Sequence, residues 1–160
     1  MPAGDVYARL ADTIEQLGAA YAAPKFPPHV TLLGALTGDR RGLIAACGRV
    51  AAVTRPFTIR LRQVDFTDMY FRCLFVRAAL SLPLQTAYRA ARREFSGRQE
   101  RRFMPHLSLL YGRFPRTLKE QLVAELQSDF DLEFKVRALQ LYRTQGEPRC
   151  WRRIATFGLE

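Results

Sequence analysis

One six-residue phrase occurs twice in this chain, and it limits the possible folds more than any other feature. Pro28-His29-Val30-Thr31-Leu32-Leu33 and Pro105-His106-Leu107-Ser108-Leu109-Leu110 agree at the proline, the histidine, the hydroxyl and both leucines, 77 residues apart. They contain both histidines of the sequence. Side chains of a strand alternate between its faces, so His29 and Thr31 share one face while Val30 and Leu32 share the other, and His106 and Ser108 repeat the arrangement. Each copy thus has an aliphatic side to bury and a polar side to present. Two such copies in one chain read as an internal duplication with a pseudo-twofold axis, in which the polar faces meet across a cleft.

The rest of the chain supplies helices and strands around these phrases. Asp5 is placed to cap a helix with Val6, Leu10, Ile14 and Leu17 on one side and Gly18 to stop it. Pro24, Pro27 and Pro28 force an extended entry into a strand over 29–36. Leu43, Cys47 and Val50 mark a second helix. Phe57, Ile59 and Leu61 alternate with Thr58, Arg60 and Arg62 as in a half-buried strand, and residues 70–78 read as a central strand. Leu84, Tyr88, Ala91 and Phe95 form the stripe of a third helix that starts with Pro83 in its first turn. Residues 96–102 have the composition of a charged loop leading to a strand over 105–112. Thr117 and Glu120 fit a capping box for a helix carrying Leu118, Leu122 and Leu126. Finally, Leu132, Phe134, Val136 and Ala138 alternate with polar residues, Trp151, Arg153, Ala155 and Phe157 lie on one side of a last strand, and these two segments are expected to pair. No linker or low-complexity tract interrupts the sequence, which gives one α+β domain over 1–160.

Composition narrows the possible partners. The 160 residues are 48% hydrophobic, enough to form a core, and 25 basic against 15 acidic residues give a net charge of +10 that attracts anions. Three cysteines, Cys47, Cys73 and Cys150, are odd in number and lack metal-type spacing, which argues against a disulfide scaffold. No apolar run is long enough to cross a membrane and no leader is evident, so the expectation is a cytoplasmic protein.

Paired histidines with hydroxyl neighbours suit phosphodiester chemistry that uses no metal or cofactor. One imidazole removes a proton from water and the other gives a proton to the departing oxygen, and a pKa near 6.5 makes both states accessible at neutral pH. Thr31 and Ser108 can donate to the non-bridging oxygens, where charge builds in the transition state. No carboxylate or thiol lies within four residues of either histidine. A lone His-x-Thr in a strand would read as structural, but two copies that use every histidine in the chain read as a catalytic pair. Tyr70 and Tyr111 read as packing residues, and the arginines of residues 89–102 as a solvated face.

With these phrases in view, the chain resembles the 2H phosphoesterase superfamily, which is characterised by two H-x-[ST]-x motifs. Phe103-Met104-Pro105-His106-Leu107-Ser108-Leu109-Leu110-Tyr111 and Phe26-Pro27-Pro28-His29-Val30-Thr31 are closest to the plant and yeast cyclic phosphodiesterases, and the likeness extends through residues 70–75, Phe95 and Trp151. The resemblance implies a bilobal fold, with two antiparallel sheets facing a central cleft and helices outside. It implies hydrolysis of nucleoside 2',3'-cyclic phosphates to 2'-phosphates, and of ADP-ribose 1'',2''-cyclic phosphate to the 1''-phosphate. Carried over, it makes His29 the acid, His106 the base, Thr31 and Ser108 phosphate-binding residues, and Tyr111 part of the substrate-binding wall. A monomer that acts on small cyclic nucleotides or RNA ends, away from membranes, is expected. Relatives of this branch begin with an extra strand before the first helix. Here the chain starts almost at the helix, so a form extended upstream is expected to be more stable and to bind more tightly.

Two other readings compete. One is the RNA-end branch of the same superfamily, a 2',3'-cyclic phosphodiesterase or 2'-5' RNA ligase-like enzyme, which the positive charge favours. The other is a basic nucleic-acid-binding module with vestigial histidines. Retention of both hydroxyl partners, and aromatic residues that lie mainly in buried stripes, argue against it.

Overall fold

Prolines and β-bulges decide where the strands of this chain run. The computed structural model describes residues 1–95 and 103–160. Its main sheet is antiparallel throughout, with β1 (Phe57–Phe66), β2 (Leu74–Ala78), β3 (His106–Leu110) and β4 (Leu132–Val136) in the order β3-β2-β1-β4. A second sheet pairs β5 (Ala138–Arg143) with β6 (Arg152–Gly158). Four α-helices complete the α+β architecture of the described residues: α1 (Gly4–Ala20), α2 (Arg40–Ala52), α3 (Leu82–Glu94) and α4 (Arg116–Leu126).

The helices bury the stripes that their spacing predicts. Leu10, Ile14 and Leu17 of α1 are buried, as are Cys47 and Val50 of α2 and Leu84, Tyr88 and Ala91 of α3. Leu10 and Leu17 join Leu61, Val64, Leu74, Val76, Leu107 and Leu109 in the principal core. Each leucine or valine buried there is worth about 1.5–3 kcal/mol of transfer free energy. A second cluster joins Ala46, Cys47 and Val50 of α2 and Ala91 of α3 to Leu141 and Phe157. It seats the small sheet on two helices.

Two of the expected caps are not formed. Asp5 lies inside the first turn of α1, where Ala3 is the N-cap without a side-chain bond, and the helix continues past Gly18 to Ala20. Pro115 is the N-cap of α4, so Thr117 caps nothing and Glu120 pairs instead with Arg116 one turn away. By contrast Asp39 accepts from the Gly42 backbone at 3.0 Å, and Ser81 from Leu84 at 3.4 Å.

The strand expectations need three corrections. The segment 29–36 is not a strand: Val30 forms a single antiparallel bridge with Leu107, and the left-handed backbone of Ala35 (φ 54°) then turns the chain away. Within 70–78, Tyr70–Arg72 is a 3-10 turn and only Leu74–Ala78 is strand, because Thr67 bonds back to Arg72 and closes a tight turn. The run 132–138 splits after Val136: Leu132–Val136 pairs with β1, and only the strand that begins at Ala138 pairs with the last one. A bulge between Leu141 and Tyr142 in that second pairing also turns Arg153 to the face opposite Ala155 and Phe157. The expected charged loop, 96–102, lies outside the described residues.

Candidate active site

Each proline of the repeated phrase fixes the backbone just ahead of its histidine, and both histidines use that geometry in the same way. His29 Nδ1 lies 2.7 Å from the Pro27 carbonyl oxygen, and His106 Nδ1 lies 2.9 Å from that of Met104, two residues upstream in each case. A carbonyl oxygen can only accept, so the proton sits on Nδ1 in both rings. Nε2 is then the nitrogen that carries the lone pair in the neutral ring.

The bridge between Val30 and Leu107 brings the two phrases side by side. Opposed residues of an antiparallel pair share a face, and their neighbours share the other. Val30 and Leu107 both pack into the principal core. His29, Thr31, His106 and Ser108 are therefore all turned to the opposite side, as the duplication argument requires, although only the second phrase lies in a regular strand.

The two hydroxyls have different surroundings. Thr31 is exposed and makes no side-chain hydrogen bond among the described residues. Ser108 is buried, and its Oγ donates to the Phe71 carbonyl at 2.9 Å. The Ser108 side chain lies beside the Tyr111 hydroxyl. Burial pushes the Tyr111 hydroxyl well above its ordinary value, so it stays protonated.

Tyr111 reaches this side of the sheet because of a bulge. Leu74 pairs with Leu110 but Phe75 pairs with Ser108, which leaves Leu109 as an extra residue on β3. The extra residue reverses the alternation, so Leu109 and Leu110 are both buried in the core and Tyr111 falls on the Ser108 side. Simple alternation makes Tyr111 a packing residue. It is in fact both buried and part of this group.

An aromatic wall surrounds the first histidine. Phe26 stacks on Tyr111 with centroids 3.7 Å apart, and the His29 ring meets Phe26 and Trp151 edge-on at 6.3 and 6.1 Å. Phe71 lies 5.2 Å from Tyr111 and 6.0 Å from Trp151. Burial lowers the pKa of His29, against the hydrogen bond to Pro27, which favours its charged form. Around the second histidine, Phe75 meets the imidazole edge-on at 5.2 Å. Residue-by-residue reading misses Phe71 and Phe75 because both sit in an apolar run that looks like plain core. Among the described residues, no three His, Cys, Asp or Glu side chains are grouped to hold a metal ion, and no helix is long and apolar enough to cross a membrane.

Comparison with known proteins agrees with this geometry. Residues 4–148 match the sequence profile of the 2'-5' RNA ligase superfamily, and the chain belongs to that family. It is an enzyme of the 2H phosphoesterase class. A cyclic phosphodiesterase of Arabidopsis thaliana is 26% identical over 162 residues, covering 94% of this chain and 87% of its own length. The fold is similar to that of TT0787 of Thermus thermophilus, with a TM-score of 0.64, 22% identity and coverage of 97% of this chain and 92% of that one. It is also similar to E. coli LigT complexed with NADP+, with a TM-score of 0.54, 16% identity and coverage of 95% and 91%.

Proposed function

We propose that the protein hydrolyses cyclic phosphodiesters with its two histidines and no metal ion, opening nucleoside 2',3'-cyclic phosphates to 2'-phosphates. The observation that carries this reading is the shared state of the two rings: each gives its Nδ1 proton to its own backbone, and both phrases meet at the Val30–Leu107 bridge. In the proposed step, His106 Nε2 takes a proton from water as the water oxygen bonds to phosphorus. The bond from phosphorus to O3' breaks, and His29 delivers a proton to that oxygen. Burial keeps the His29 imidazole neutral in the unliganded protein, and the negative charge of the arriving phosphate favours its protonation. Thr31 donates to a non-bridging oxygen directly. Ser108 does so after its proton leaves the Phe71 carbonyl.

ADP-ribose 1'',2''-cyclic phosphate fits the same chemistry, with 1''-phosphate as product. A second reading, action on RNA ends that carry a 2',3'-cyclic phosphate or a 2'-5' linkage, draws support from the family match and the net charge of +10. Turnover of cyclic mononucleotides, ADP-ribose cyclic phosphate and cyclic-phosphate-ended RNA, with product positions identified, tests both readings. His29→Ala and His106→Ala should each lower turnover by roughly 10² to 10⁴ fold, with the double variant far short of the product of the two. Near-normal rates in either folded single variant would refute the paired-histidine mechanism.

A further inference from the structure

The face of the main sheet that carries His106 and Ser108 also carries a cation that the proposed chemistry does not use. Arg77 of β2 pairs directly with His106 of β3, and Phe75 pairs with Ser108. On the other side of β2, Asp65 of β1 pairs with Phe75 and Gln63 with Arg77. Directly opposed residues project from one face, so Asp65, Phe75, Arg77, His106 and Ser108 form a single polar and aromatic group.

The Arg77 guanidinium is held in place. Its Nε and Nη2 lie 2.7 and 2.5 Å from Asp65 Oδ2, and its carbon lies 5.7 Å from the centre of the Phe75 ring, which the His106 imidazole also touches. Asp65 is fixed in turn, because its Oδ1 accepts from the Phe66 backbone at 2.8 Å. The arginine–carboxylate pairs elsewhere on this sheet differ: Arg60 with Glu133 and Arg62 with Asp131 have side chains more than half exposed, against 39% and 27% for Arg77 and Asp65. Such exposed pairs contribute little. A guanidinium held along one edge by a carboxylate keeps the donors of its other edge, and held donors on arginine suit phosphate oxygens.

We infer that Arg77 binds a second phosphate of the substrate, next to the one opened at His106. The inference rests on the cyclic phosphodiesterase reading. The second phosphate is either a 5'-phosphate on the same nucleotide or the neighbouring phosphodiester of an RNA chain. Adenosine 2',3'-cyclic phosphate, its 5'-phosphorylated form and a dinucleotide ending in a 2',3'-cyclic phosphate separate the two sources.

The experiment compares kcat/KM for the three substrates in the wild type, Arg77→Gln and Arg77→Lys, so that general losses cancel in the ratios. At least one substrate with a second phosphate should be favoured over the plain cyclic nucleotide by roughly 10 to 100 fold in the wild type. Arg77→Gln should bring that ratio to about one, and lysine, which keeps the charge but not the fork, should restore only part of it. Calorimetric titration with adenosine 2'-phosphate and adenosine 2',5'-bisphosphate repeats the comparison without turnover. No preference in the wild type, or a preference that survives Arg77→Gln, overturns the inference. If no cyclic substrate is turned over but the bisphosphate preference depends on Arg77, the hydrolytic reading fails and the Arg77 site stands.

Discussion

Because burial lowers the pKa of His29, the stability of the fold should depend on pH. An unfolded histidine titrates near 6.5, and the folded one titrates lower. The unfolded chain therefore binds the proton more readily. Stability should fall as pH drops through about 6.5 toward the folded value, and this contribution should level off below it. Thermal unfolding at pH 8 and pH 5.5 should show a larger loss for the wild type than for His29→Asn. Parallel losses would show that the ring is not held in its neutral form. The hydroxyls should also contribute. Thr31→Val should slow the chemical step about 10 to 10³ fold, the effect expected for a donor to the developing charge. Ser108→Ala should slow it by a similar factor, from a site whose hydroxyl proton first has to leave the Phe71 carbonyl. The candidate histidines and hydroxyls were legible from the repeated phrase itself. Arg77 was not: in sequence it is one polar residue in an apolar run, and only the strand register sets it beside His106.

At the scale of elements, the turn that supplies the Phe71 carbonyl is held from behind by α4. Lys119 is 2% exposed, and its Nζ donates to the Thr67 carbonyl at 3.1 Å and to Asp68 Oδ1 at 2.5 Å, above the Phe66 ring. Thr67 in turn gives its hydroxyl proton to the Arg72 carbonyl at 2.6 Å. Lys119→Met keeps the bulk but leaves the Thr67 carbonyl without this donor, and should lower stability by about 1–3 kcal/mol. Denaturant unfolding of the variant measures it, and an unchanged midpoint would mean that the turn holds itself. Sequence reading assigns this helix to its leucines and misses the lysine, because a buried cation leaves no mark in a hydrophobic pattern. It also treats the two copies of the phrase as equal strands. They match in residue type, but the first is followed by Gly34 and a left-handed Ala35, whereas the second stays in the ladder through Leu110.

For the molecule as a whole, the α+β class and the four helices could be read from periodicity, whereas the division into sheets of four and two strands could not. That division depends on a single step at Arg137, where one continuous alternating run changes partners. If the proposed chemistry is right, turnover should survive exhaustive chelation, since Thr31, Ser108 and an imidazolium meet the phosphoryl charge. Loss of activity on chelation that zinc or magnesium restores would require a different mechanism. The bulge also sets what a deletion would do. The extra residue at Leu109 lets Tyr111, three places after Ser108, share its face, and removing that one leucine would restore plain alternation with the tyrosine two places after the serine, still on the same face. Across relatives of this fold, a gap of one residue between the second histidine phrase and the tyrosine would therefore mark a straightened strand, and not a tyrosine turned away from the site.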